Sequence, residues 1–279
     1  MLARWVAETN PTAVIVDVSS EVTQYLRLLG VPVIGMRQHG DRSDSSHICG
    51  YSAAYKLFAP FPEVLESPKV PDWIRDKTIY SPGFSRYCHY LAEEADWDKA
   101  TARAKLNITP KRKVVAVLKG KGGDRHSLDA IADAAKATSQ WLWLVLGNAS
   151  QELSQLPSNV RNLGWCEDTY IYLKAADVAI ASGGHNTVME LGTARIPFLC
   201  IPEKRPFNEQ KVKADILEKL GLCLTVNAFP NANSIEFLLD KLQTLNIDKW
   251  QEIVTANGAA KAAKLIEKEV EYLSHYQLV

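Results

Sequence analysis

The stretch richest in chemistry runs from 178 to 210, VAIASGGHNTVMELGTARIPFLCIPEKRPFNEQ. VAIAS reads as a buried strand running directly into Gly183 and Gly184, and HNTVMELGTA reads as the helix that follows. Glycines at a strand-to-helix junction let the backbone approach a ligand closely. The first N–H groups of a helix have no intrahelical partner, and with the helix dipole they form an anion site suited to a diphosphate. Glu190 stands six residues after Gly184, roughly two turns into the helix at ~3.6 residues per turn. A carboxylate there can accept both hydroxyls of a ribose. The competing reading is that the two glycines only permit tight helix–strand packing.

A second Gly-rich turn, Gly120-Lys121-Gly122-Gly123, closes the strand KVVAVLKG at 113–120. Ligands of open α/β sheets sit at the carboxyl ends of strands, so two such turns facing one crevice can hold one diphosphate between them. Arg125 stays charged and suits a phosphate; His126 either touches one when protonated or lies in solvent. His185, at the helix start, reads as a residue lining the cleft. Neither turn carries G-x-G-x-x-G or G-x-x-x-x-G-K-[ST], which argues against an NAD enzyme or an ATPase.

The elements that must position these groups alternate between short apolar runs and amphipathic stretches, the pattern of a parallel α/β architecture. Strands are expected at 13–17, 32–36, 55–59 and 78–81, with a helix over 20–29 ending at Gly30. A charged stretch at 92–112 reads as a helix and linker. Strands at 113–120, 141–147, 160–165, 178–182 and 197–201 follow, with helices starting near Ser127, Thr169, His185 and Glu209. Ser127 is an expected N-cap and Gly221 an expected C′ residue. The tail from Trp250 reads as helix, broken or kinked at Gly258. Domains are expected at 1–108 and 109–279.

With 279 residues, 47% of them hydrophobic, the chain has the length of about two domains at ~150 residues each. Thirty-two Lys and Arg balance 32 Asp and Glu, which argues against a chain that coats nucleic acid. No apolar run reaches the ~20 residues that span a bilayer, and MLARWVAETNPT lacks the apolar stretch of a secretory signal. Five scattered cysteines form no C-x-x-C, so neither a disulfide framework nor a zinc site is expected. The expected location is the cytoplasm, with peripheral membrane contact left open.

Ser182-Gly183-Gly184-His185-Asn186-Thr187-Val188-Met189-Glu190, Ala194 to Pro197, Pro202, and Phe207-Asn208-Glu209-Gln210 together resemble the nucleotide-sugar site of family 28 glycosyltransferases. The resemblance covers nearly all of the second half and, less sharply, Asn10–Asp17 and Gly30–His39. It implies the GT-B fold, two Rossmann-like domains across a cleft, the first incomplete here. It implies that Ser182, Gly183 and Gly184, with amides of Asn186 and Thr187, contact the diphosphate of a UDP-sugar. Glu190 would hold the ribose diol, and Glu209 and Gln210 the donor sugar. Gly120, Gly122 and Gly123 would close over the phosphates, and Leu163 to Cys166, including Trp165, would frame the uracil. No metal or other cofactor is implied. A base in the first domain would deprotonate the acceptor hydroxyl, with inversion at the sugar.

Members of that family open with a strand, a Gly-rich loop and a catalytic His, which have no counterpart here. The chain is therefore expected to begin partway through the acceptor domain, leaving an edge strand near Ala13–Asp17 that another chain could cover. His39, in the polar run Arg37–Asp44, is the internal candidate for the base, against the reading of an exposed loop histidine. Asp17, ending its strand at the crevice, either binds an acceptor hydroxyl or caps the next helix. Three functions are expected: transfer of a sugar, such as N-acetylglucosamine, from UDP to an acceptor; donor binding as part of a split or inactive transferase; or hydrolysis of a nucleotide sugar.

Overall fold

The computed structural model describes residues 1–92, 97–119, 127–147 and 156–276. The first part of the chain runs through α1 (Leu2–Thr9), β1 (Val14–Asp17), α2 (Ser20–Leu28), β2 (Val33–Met36), α3 (Ser45–Ala53), β3 (Lys56–Ala59), α4 (Asp72–Lys77) and β4 (Thr78–Tyr80). The second runs through α5 (Lys99–Lys105), β5 (Lys113–Lys119), α6 (Leu128–Ala137), β6 (Trp141–Gly147), β7 (Val160–Gly164), α7 (Tyr170–Ala175), β8 (Val178–Ala181) and α8 (His185–Ala194). It continues through β9 (Phe198–Cys200), α9 (Glu209–Lys219), β10 (Cys223–Thr225), α10 (Ile235–Leu242), α11 (Trp250–Ile253) and α12 (Gly258–Tyr276).

The strands form two wholly parallel sheets, a four-stranded one in the order β1-β2-β3-β4 and a six-stranded one in the order β10-β9-β8-β5-β6-β7. Parallel sheets need apolar cover on both faces. In the larger sheet β6 is buried along its whole length, its alternating residues entering two different cores: Leu142 and Leu144 one, Trp141 and Trp143 the other.

Ser19, Asp44, Asp98 and Ser127 cap α2, α3, α5 and α6 through side-chain oxygens. The short elements α1, α3, α4, β10 and α10 have no counterpart in the sequence reading. Their runs are too brief, or in α3 too evenly mixed, for periodicity to mark them.

The helix expected within the charged stretch 92–112 is α5, and it is docked rather than free in a linker. Arg103 of α5 donates to the Ala175 carbonyl at 2.9 Å and pairs with Asp177 at 2.7 Å, so α5 belongs to the larger sheet. The chain crosses between the sheets just after β4, and again before α12. The two crossings pair, Gly83 N–H with Ile253 O at 2.7 Å and Thr255 N–H with Gly83 O at 3.3 Å. A Cβ on Gly258 would fall 2.6 Å from Gly83 O, so that glycine marks the crossing rather than a bend within a helix. Past it, α12 packs Ala262, Leu265 and Ile266 on Ile34 and Phe58 of the smaller sheet. At the other end of that sheet β1 is the edge strand, with Ile15 exposed. Among the described residues no helix is long and apolar enough to cross a membrane.

Candidate functional site

From β5 the chain steps one way along the sheet, through β6 to β7; from β8 it steps the other way, through β9 to β10. The switch falls between neighbours β5 and β8, where open α/β sheets bind ligands. The Gly183-Gly184 turn leaves β8 at this point and opens α8. The companion turn after β5, with Gly120, Gly122, Gly123, Arg125 and His126, lies outside the described residues.

The two adjacent glycines answer to different causes. Gly183 donates its N–H to Gln210 Oε1 at 3.0 Å, and its carbonyl accepts from Lys213 Nζ at 3.4 Å. A Cβ there would meet Gln210 O at 2.9 Å and Gln210 Cβ at 3.1 Å. So Gly183 is a packing glycine, held by α9. Gly184 has an ordinary backbone conformation (φ −60°, ψ 144°), and the nearest atoms to an added Cβ are Ser182 Oγ at 3.8 Å and Thr187 Oγ1 at 3.9 Å. Neither conformation nor packing demands a glycine there. It is the N-cap of α8, a position that favours Ser, Asp or Asn, yet no side chain caps the helix. The outcome is an open, uncapped helix N-terminus.

Gln210, expected at the donor sugar, has a structural part in the turn. It is buried, and its Oε1 accepts from both Gly183 and Glu203 N–H, bracing the turn against the 203 loop. The Gly183 N–H is thereby withdrawn from any phosphate. Glu209 lies at the start of α9, half-buried, and faces the cleft between the sheets.

Glu190 lies two turns into α8, its side chain 13% exposed, and Arg86 Nε donates to its Oε1 at 2.9 Å. Burial pushes the carboxyl pKa up and Arg86 pulls it down. Phe84, Ser85, Arg86, Asn186 and Glu190 line an open pocket of about 300 Å³. Trp165 and Cys166 follow the edge strand β7 and do not line this pocket. Trp165 is exposed, and Cys166 Sγ is 3.7 Å from Gly164 O.

A second cleft of about 380 Å³ joins the sheets, with Asp17, His39 and Phe61 on one side and His185, Asn186 and Glu209 on the other. His39 is not an exposed loop histidine. It is 3% exposed, stacks on Phe61 with centroids 3.9 Å apart, and donates from Nε2 to the Leu65 carbonyl at 3.1 Å. Burial, then the charge of Lys213, hold its pKa well below 6.5. Beside it the buried Arg37–Glu66 pair staples the same two segments, with Tyr80 donating to Glu66 at 2.8 Å. Burial and then Lys213 also lower His185, to about 3. Asp17 is exposed at the end of β1, and the cap of α2 is Ser19, which accepts from Val22 N–H at 3.2 Å. The capping reading of Asp17 therefore falls, and the residue lines the cleft.

Sequence reasoning missed Arg86 and Lys213. Arg86 sits in a loop with no motif. Lys213 did leave a signal: Gln210, Lys213, Ala214 and Leu217 follow the i, i+3, i+4, i+7 spacing of one helix face, and all four are buried.

Residues 145–270 match the family model of the glycosyltransferase family 28 C-terminal domain. That domain holds α8, Glu190 and α9, and so the whole uncapped turn. An uncharacterized glycosyltransferase of Methanosarcina acetivorans is 31% identical over 125 residues, 43% of this chain and 33% of that protein. One from Methanosarcina mazei is 35% identical over 71 residues, 25% of this chain and 19% of that protein. The matches thus span a third or less of these relatives' lengths. Among solved structures, MurG of Acinetobacter baumannii superposes with a TM-score of 0.69 at 17% identity, over 95% of this chain and 76% of that one. The glycotransferase of kitacinnamycin gives 0.70 at 16%, over 96% and 78%. The spinosyn rhamnosyltransferase SpnG complexed with thymidine diphosphate gives 0.62 at 15%, over 96% and 72%. These likenesses show the fold, which is the GT-B arrangement of two parallel-sheet units.

Proposed function

We propose that this chain transfers a glycosyl group from a nucleoside diphosphate sugar to an acceptor hydroxyl. The observation that carries the reading is the open N-terminus of α8 at the switch point, facing Asp17 across the cleft. The diphosphate sits on the amides of Gly184, Asn186 and Thr187, where N–H groups and dipole favour anions. Glu190 takes the ribose diol, and Glu209 a hydroxyl of the sugar, such as N-acetylglucosamine on UDP. As the acceptor oxygen attacks C1 from the opposite face, the C1–O bond breaks and its electron pair passes to the diphosphate. The α8 terminus is preorganised to stabilise that charge, so these residues need no metal to do so. The acceptor proton goes to the carboxylate of Asp17, which is exposed at the cleft, whereas His39 is buried with its Nε2–H spent on Leu65 and its pKa held so low that it is a weak base.

SpnG, which has this fold, is described in complexes with thymidine diphosphate and with an aglycone, which supports a diphosphate donor and a hydroxyl-bearing acceptor here. Calorimetric titration with UDP, dTDP and UDP-N-acetylglucosamine tests the reading, beside Glu190→Ala. Saturable binding lost in the variant supports it; absence of binding by all three ligands refutes it. The free edge of β1, with exposed Ile15, favours a second reading in which another polypeptide pairs along that strand. Light scattering of the protein purified from its own cells separates the two.

A further inference from the structure

Lys213 is 0% exposed, an ammonium on the buried face of α9 directly behind the Gly183-Gly184 turn. Burying such a charge is unfavourable unless it is well paired. Here the pairing is poor. The nearest carboxylate oxygen, Glu209 Oε1, is 3.9 Å away and partly in solvent, and the Gly183 carbonyl is at 3.4 Å. The other titratable groups facing the ammonium come from three elements: Cys200 on β9, His185 on α8 and His39 beyond β2. Burial pushes the Cys200 thiol up to about 12 and keeps both imidazoles uncharged at neutral pH. An undercompensated positive charge thus sits against the α8 turn, which is open, uncapped and lined by N–H groups.

The contact also has a direction. In a planar trans peptide the C=O and N–H point opposite ways. With the Gly183 carbonyl held toward Lys213, the Gly184 N–H of the same peptide points away from α9, out of the turn. The adjoining Gly183 N–H is tied to Gln210, so α9 fixes the Gly183 residue from both ends.

We propose that Lys213 is a positioning residue of the donor site, whose charge and hydrogen bond to Gly183 set the affinity of the α8 turn for a diphosphate. This rests on the nucleoside diphosphate reading above. It acts from behind the backbone and touches no substrate atom, and it distinguishes a site built for a multiply charged group from one built for a neutral ligand. Burial pushes the ammonium down to about 8, so it is charged at neutral pH and loses its proton on mild alkalisation.

The test uses the whole chain, UDP and dTDP as probes, and Lys213→Met and Lys213→Gln. Removing a buried, poorly paired charge tends to leave a fold as stable or more so, so Lys213→Met is expected to melt at or above the wild-type temperature. It should bind UDP about tenfold more weakly or worse, the loss of one charge-assisted contact. Lys213→Gln keeps a donor for Gly183 without the charge and should recover only part of that loss. Wild-type affinity should fall as pH rises through about 8, and the fall should be absent from both variants. Wild-type UDP affinity in Lys213→Met, or a weakened variant that keeps the alkaline fall, overturns the proposal while leaving the donor site standing. Failure of the wild type to bind either nucleotide overturns both.

Discussion

The adjacent glycines of the α8 turn make a paired prediction. Gly183→Ala puts a Cβ 2.9 Å from Gln210 O and 3.1 Å from Gln210 Cβ, inside normal contact and against backbone. Overpacking of that kind costs about 1–3 kcal/mol. For a chain of this size each kcal/mol moves Tm by roughly 2–4 °C, so a drop of several degrees is expected. Gly184→Ser, one residue on, meets nothing closer than 3.8 Å and keeps a backbone conformation serine adopts freely. As the N-cap of α8, serine improves on glycine by only a few tenths of a kcal/mol, so Tm should hold or rise slightly. Its Oγ would, however, accept from the N–H of Asn186 or Thr187, the groups assigned to the diphosphate. Loss of one charge-assisted hydrogen bond, about 1.5–3 kcal/mol, weakens UDP binding roughly tenfold to hundredfold. Differential scanning calorimetry and isothermal titration of the two variants read both quantities. A Gly184→Ser protein that binds UDP like the wild type refutes the anion site. A Gly183→Ala protein that melts like the wild type refutes the division of roles.

Arg86 keeps the buried Glu190 carboxyl from rising further in pKa, so Arg86→Ala should shift the acidic loss of UDP affinity to higher pH. Titrations from pH 5 to 8 check this, and an unmoved acidic limb counts against it. His39 and His185 are lowered by burial, so the unfolded chain takes up protons at about 6.5 that the folded chain refuses. Their contribution to stability is full above that pH and fades as pH falls toward the folded values, by up to ~1.4 kcal/mol per unit for each histidine. Urea unfolding at several pH values should show that slope, and His185→Asn should reduce it. Arg37→Met leaves Glu66, with a side chain 2% exposed, without its cation and should lose about 3–5 kcal/mol of stability in the same assay.

Much of the architecture is present in local pattern. The runs at 14–16, 141–146 and 178–181 are continuous apolar stretches of strand, and the glycine pair after β8 announces a helix N-terminus without any knowledge of packing. Glu190, two turns on, is fixed to that helix by its pitch alone. Such features depend on residues within one or two turns of each other, so the chain itself carries them.

What tertiary structure decided lies wherever two distant segments meet. Whether Gly183 serves a ligand or a neighbour depended on α9 lying against it, 27 residues downstream of it at Gln210. Asp17 lost its capping role because Ser19 reached Val22 N–H instead, and it gained a cleft because β1 ends opposite α8. His39, a candidate base or an exposed loop histidine by its polar run alone, is buried because Phe61 and the Leu65 carbonyl close over it. Arg86 met Glu190 across 104 residues, and Lys213 met Gly183 across 30. A single sequence specifies which side chains a helix turns inward. The charge each then meets, and whether it is paired there, is settled only when the two sheets close on one cleft.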